Sequence, residues 1–161
     1  MFNKTKGLLV FSLLGLFLFN SCGDNYLFNE EKEIANGSWS YQDTLNYTIS
    51  VGDTSQLYNL YVAFEHADTF RYQNIYLKLH TLFPDGSRTS RLRSFDLYDI
   101  EGKSKGECSG HTCEVKSLLQ DNLYFNQIGD YTITLEQFTR SNPLLGVNSV
   151  AILMEKAEKK R

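Results

Sequence analysis

Apolar and polar residues alternate with period two along most of this chain, and that rhythm restricts it to strands. In 44–51, Leu45, Tyr47, Ile49 and Val51 alternate with Thr44, Asn46, Thr48 and Ser50. In 57–65, Leu60, Val62 and Phe64 face one way, and in 75–83 so do Ile75, Leu77, Leu79 and Phe83. Phe95 and Leu97 mark a strand near 90–98, Tyr131, Ile133 and Leu135 one at 130–138, and Val150, Ile152 and Met154 the last. The same segments are rich in Tyr, Phe, Val, Ile and Thr, residues that suit a pleated, half-buried surface. Gly52-Asp53, Pro84-Asp85-Gly86, Glu101-Gly102 and Gly129-Asp130 supply turns between them. Pro84-Asp85-Gly86 predicts a hairpin. Only Glu114 to Leu123 has helix-like spacing, through Val115, Leu118 and Leu119. Strands without intervening helices predict an all-β antiparallel sandwich of seven or eight strands. Immunoglobulin-like and jelly-roll connections both remain open.

The start of the chain reads differently. Lys4 and Lys6 precede an apolar run from Gly7 to Phe19, broken only by Ser12. That is the length of a secretory h-region, and it is short of the ~20 residues that a spanning helix needs. Phe19-Asn20-Ser21-Cys22 follows at once and resembles the lipobox of bacterial lipoproteins. The expected organisation is a signal peptide over 1–21, a lipidated Cys22 with a tether over 22–36, a sandwich domain over 37–156, and a charged tail over 157–161. A lipidated Cys22 anchors the chain in a membrane by buried acyl chains, so the folded part needs no membrane-binding surface of its own. Cleavage leaves 14 basic against 19 acidic residues, a net charge of about −5. An acidic surface argues against nucleic acid, whose phosphates demand a basic footprint.

Candidate chemistry is sparse. Cys108, His111 and Cys113 form a compact cluster. A zinc site needs three or four ligands, and no second cysteine pair exists. Outside the cytoplasm disulfides persist, and lipidation of Cys22 leaves an even pair. A Cys108–Cys113 disulfide is therefore the expectation, with reduced thiols or a metal as the alternatives. Glu65, His66 and Asp68 place acid and imidazole at one strand end, where they could serve as acid or base or simply be loop polarity. Asp96, Asp99 and Glu101 are candidate glycosidase carboxylates, but Asp96 and Asp99 have opposite parity and point to different faces of a regular strand. No nucleophile elbow, phosphate loop or metalloprotease motif occurs. Neither an enzyme nor a cofactor is expected. Tyr58, Tyr61, Tyr72 and Tyr76 are expected outside the core, as edge packing or as an aromatic strip for sugar rings or a protein.

The carboxy-terminal third carries a resemblance. Gly129-Asp130-Tyr131-Thr132-Ile133-Thr134-Leu135-Glu136-Gln137 leads through Arg140 and Asn142-Pro143-Leu144-Leu145-Gly146-Val147 into Val150-Ala151-Ile152. Upstream, Tyr72-Gln73-Asn74-Ile75-Tyr76-Leu77 and Trp39 add to it. This ordered set, with the signal and lipobox, resembles the gliding-motility lipoprotein GldH family of Bacteroidetes. Thr139 stands where the family pattern has Met, and the Cys108–Cys113 loop is not a family feature. The resemblance implies a role in gliding motility and its associated type IX secretion. It further implies other envelope proteins as partners and no mapped catalytic residue. An outer-membrane location is the expectation. Tyr72, Asn74, Tyr76, Gln137 and Arg140 are the candidate interaction or structural residues, with a bidentate carboxylate pair or a partner contact as the two readings of Arg140. A glycan-binding lipoprotein using exposed tyrosines is the alternative function.

Overall fold

A computed structural model describes residues 25–160. The signal peptide and Cys22 lie outside the described residues. Eleven strands follow in order: β1 (Phe28–Glu33), β2 (Ser38–Trp39), β3 (Leu45–Val51), β4 (Gln56–Ala67), β5 (Asn74–Leu82), β6 (Arg88–Asp96), β7 (Glu107–Ser109), β8 (Thr112–Tyr124), β9 (Gly129–Gln137), β10 (Leu144–Leu145) and β11 (Val147–Lys160). One 3-10 turn, Ala35–Gly37, is the only helical element among the described residues. The all-β, antiparallel expectation therefore stands.

The strands form two main sheets. One has the order β1-β11-β4-β8-β7 and the other β3-β9-β5-β6, with a small β2–β10 ribbon beside them. Every pairing is antiparallel. The alternation read from the sequence sets which side faces inward. In β3 the odd residues Leu45, Tyr47, Ile49 and Val51 are buried and the even ones exposed. The inner faces of both sheets share one core, with Trp39, Tyr47, Phe64, Ile75, Leu77, Leu135 and Ile152 among its fully enclosed members. Phe64 of β4 meets Phe95 of β6 across the layers at 5.4 Å. Burying one such large side chain contributes about 1.5–3 kcal/mol.

Pro84-Asp85-Gly86 turns the β5–β6 hairpin as expected. Gly86 takes φ +81° there, and its N–H donates to the Phe83 carbonyl at 2.9 Å.

Three expectations change. The segment 114–123 is strand, inside β8. Its register against β4 slips twice, between Tyr58 and Leu60 and between Leu60 and Tyr61. Each slip adds a residue to β8 and resets its parity, which mimics a helical spacing. The tether is shorter than 22–36, because Phe28–Glu33 pairs with β11 as an edge strand. Its Asn-Glu-Glu-Lys-Glu composition hides it, yet charged residues are what an edge strand tolerates. The charged tail also pairs: β11 runs to Lys160, and Ala157 is buried. Tyr58 is a fourth difference. It shares the parity of Leu60, Val62 and Phe64, is buried, and packs on Phe125 at 5.4 Å.

Candidate functional site

On the outer face of the β3-β9-β5-β6 sheet the polar pattern breaks. Asn74 and Tyr76 on β5 point away from the core, because Ile75 and Leu77 point into it. Opposite Lys78, β6 presents Leu92, 54% exposed. On β9, Glu136 lies on the same side, opposite Lys78. Beyond the end of β9, Phe138 continues the ladder by donating its N–H to the Tyr76 carbonyl at 2.8 Å. These residues, with Tyr41, Tyr72, Thr139 and Arg140, line one open groove.

The groove's upper wall is a loop held in place by hydrogen bonds. Gln137 is fully buried beneath it. Its Nε2 donates to the Ser141 carbonyl at 3.1 Å and the Trp39 carbonyl at 3.4 Å. Its Oε1 accepts from Thr139 N–H at 3.0 Å and Thr139 Oγ1 at 2.7 Å. A buried amide with both ends satisfied is a structural pin. Tyr41 donates its hydroxyl to the Thr139 carbonyl at 2.6 Å, and its N–H to Asn142 Oδ1 at 2.9 Å. Tyr72 and Ser141 share a hydroxyl–hydroxyl bond of 2.6 Å. Tyr72, Tyr76 and Phe138 remain 43%, 42% and 51% exposed, so their rings are available to a partner. Lys78 Nζ lies 5.7 Å from the Phe138 ring, and Glu136 bonds His80 at 3.1 Å.

The structure thus brings Tyr72, Asn74, Tyr76 and Arg140 into one groove and sets Gln137 under it. Arg140 is exposed and has no carboxylate partner among the described residues. No ion pair among the described residues therefore matches the bidentate-pair reading of Arg140, and Glu136, which lines the same groove, bonds His80 through Oε2. Sequence reasoning missed Tyr41, Leu92, Glu136 and Phe138. Parity held a signal for Leu92 and Glu136, which sit opposite in phase to buried Phe95 and Leu135. Tyr41 gave none, because its partners lie about a hundred residues away along the chain.

The other candidates fall apart or turn inward. Glu65 accepts from Asn148 at 3.2 Å on one side of β4. His66 is fully buried on the other, packed between Phe70 and Tyr98. Its Nδ1–H donates to the Ala67 carbonyl at 2.9 Å. Asp68 turns to exposed His111 at 3.2 Å. Asp96 is held by Lys105 at 2.9 Å, and Asp99 accepts the N–H groups of Glu101 and Lys103, each at 2.9 Å. Cys108 and Cys113 stand opposite each other in the β7–β8 register, and their sulfurs are bonded.

Comparisons with known proteins agree in direction. The family model described as GldH lipoprotein matches residues 26–153. A gliding motility lipoprotein GldH homolog from Christiangramia forsetii is 25% identical over 150 residues, covering 89% of this chain and 91% of that protein. The gliding motility lipoprotein GldH of Flavobacterium johnsoniae is 22% identical over 148 residues, covering 91% of this chain and 89% of that protein. Among solved structures, a fructofuranosidase variant from Schwanniomyces occidentalis covers 80% of this chain and 33% of its own, at 11% identity and a TM-score of 0.35. That likeness is too low to carry an argument. The match over most of the described strands decides the question of kinship: this chain belongs to the GldH lipoprotein family.

Proposed function

We propose that this lipoprotein is a non-catalytic accessory subunit of the gliding motility and type IX secretion apparatus, docking another envelope protein in the aromatic groove. Lipid on Cys22 holds it to the membrane, with the outer membrane favoured, and the two-sheet sandwich presents the groove. The observation that carries the reading is the exposed cluster of Tyr72, Tyr76, Leu92 and Phe138 beside unpaired Arg140. Aromatic residues and arginine are the side chains that dominate protein–protein hot spots.

The groove also supports a second reading, a glycan seat, since exposed tyrosines beside Asn74, Glu136 and Arg140 suit sugar rings and hydroxyls. One pair of substitutions separates the two. Tyr76→Ala with Arg140→Ala alters only exposed groups, so stability should shift by no more than about 1 kcal/mol. Under the docking reading the variant loses motility and adhesin secretion, and a photocrosslinker at position 76 of the otherwise unaltered protein captures an envelope protein. Retained motility and secretion sink that reading. Binding on a glycan array that vanishes in the variant, with no protein crosslink, selects the glycan seat.

A further inference from the structure

Along one side the two main sheets do not close. β6 and β8 border that side, and between them a cleft of about 190 Å³ enters the space between the layers. Leu79, Phe83 and Ile133 line it from one sheet, and Leu60, Leu119 and Leu123 from the other. Arg91 and Arg93 line it as well. Their direction follows from the pairing. Arg91 stands opposite Leu79 and Arg93 opposite Leu77, and paired residues of antiparallel strands point to the same face. Leu77 and Leu79 are buried in the core, so both arginines project from the inner, apolar face of an edge strand.

Neither arginine has a partner of opposite charge. The ion pairs among the described residues are Lys32–Glu30, His80–Glu136, Lys105–Asp96 and His111–Asp68, and none involves an arginine. Both are cations on a chain whose formal net charge is −3. Inward-pointing charge on an edge strand also discourages edge-to-edge aggregation. That role requires charge alone. It does not require an apolar cleft directly behind the charge.

We propose that this cleft binds a single-chain fatty carboxylate. The tail lies between the sheets, and Arg91 and Arg93 hold the carboxylate at the mouth. A ligand site of this kind is mostly apolar, with a few polar groups that fix orientation. Guanidinium suits a carboxylate because its fork donates two parallel hydrogen bonds. The cleft opens on the inner side of β6 and the aromatic groove on the outer side of the same sheet. Each site is therefore tested without the other.

The test uses the mature lipidated protein in lipid nanodiscs, photolabelled with a diazirine-bearing decanoate and mapped by peptide mass spectrometry. Adducts are expected on segments 79–93 and 119–125. Competition by unlabelled fatty carboxylates should strengthen about fourfold per added methylene until the cleft is full. Decanol should compete at least about tenfold more weakly than decanoate, for want of the charged hydrogen bonds. Arg91→Gln with Arg93→Gln should lower labelling of these segments by at least about tenfold at an unchanged melting temperature. Leu119→Trp, which fills the cleft and spares both arginines, should abolish it. Labelling spread over the surface, equal competition by decanol, or unaltered labelling in the double arginine variant overturns the proposal.

Discussion

Tyr47 ties the two sheets together with a single hydroxyl. It sits on β3, is fully enclosed, and donates to the Val150 carbonyl of β11 at 2.7 Å. Burial, with the negative charges of Glu30 and Glu31 nearby, pushes its phenol well above the ordinary 10.0. Ionisation of Tyr47 is therefore disfavoured in the folded state only. Below pH ~10 the phenol is neutral in both states and its contribution is complete. Above that value the unfolded chain releases a proton that the folded chain keeps, so stability falls as pH rises. Tyr47→Phe should cost about 1–2 kcal/mol at neutral pH, from one lost buried hydrogen bond. It should also flatten part of the loss between pH 9 and pH 11. Urea titrations of both proteins at pH 7 and pH 11 check this. An equal difference at the two pH values would show that Tyr47 does not carry the alkaline sensitivity.

At the level of elements, β8 slips twice in register against β4, and the loop before β7 lies directly on it. Gly106 is why the loop can lie so close. A Cβ added there would stand 1.7 Å from the Glu114 carbonyl oxygen, a distance no contact allows. Gly106→Ala must displace backbone, so a destabilisation of about 1–3 kcal/mol is expected, read as a lowered midpoint in thermal unfolding. The β7–β8 hairpin itself is joined by Cys108 and Cys113. Closing so short a loop contributes about 2 kcal/mol at most. Thiol labelling of unreduced mature protein should find neither cysteine reactive, and replacing both with serine should leave a folded domain. Two reactive thiols, or one bound zinc, would remove the disulfide from the account.

For the whole molecule, the first question is what holds it at a membrane. Among the described residues no helix is long and apolar enough to cross one. The h-region followed directly by Cys22 carries the anchoring proposal. Cys22→Ala should leave an uncleaved precursor that no longer partitions into detergent with the lipoproteins. Normal processing and normal partitioning of that variant would refute lipidation at Cys22. If the anchor and the groove act as proposed, the Cys22 and groove variants should share a motility defect and differ in processing.

The sequence by itself determined the strand character of the chain, the inner and outer faces of β3, β5 and β9, the β5–β6 hairpin and the family. These are legible because side-chain alternation and turn chemistry are local properties of a few residues. The same local logic misread β8, where two register slips against β4 changed the parity. It also misread β1, whose charges disguised an edge strand that only β11 defines. The groove was half legible. Tyr72, Asn74 and Tyr76 share one short segment, while Phe138 joins them through pairing across the sheet and Tyr41 through its hydrogen bonds to the loop after β9. Gln137 could not be told from a contact residue by sequence. Tertiary structure alone buries it, because Trp39 and Ser141, whose carbonyls it bonds, converge there through the β2–β10 ribbon and the loop after β9. Which strands become neighbours is decided by shared burial of faces far apart in the chain, and no local pattern encodes that choice.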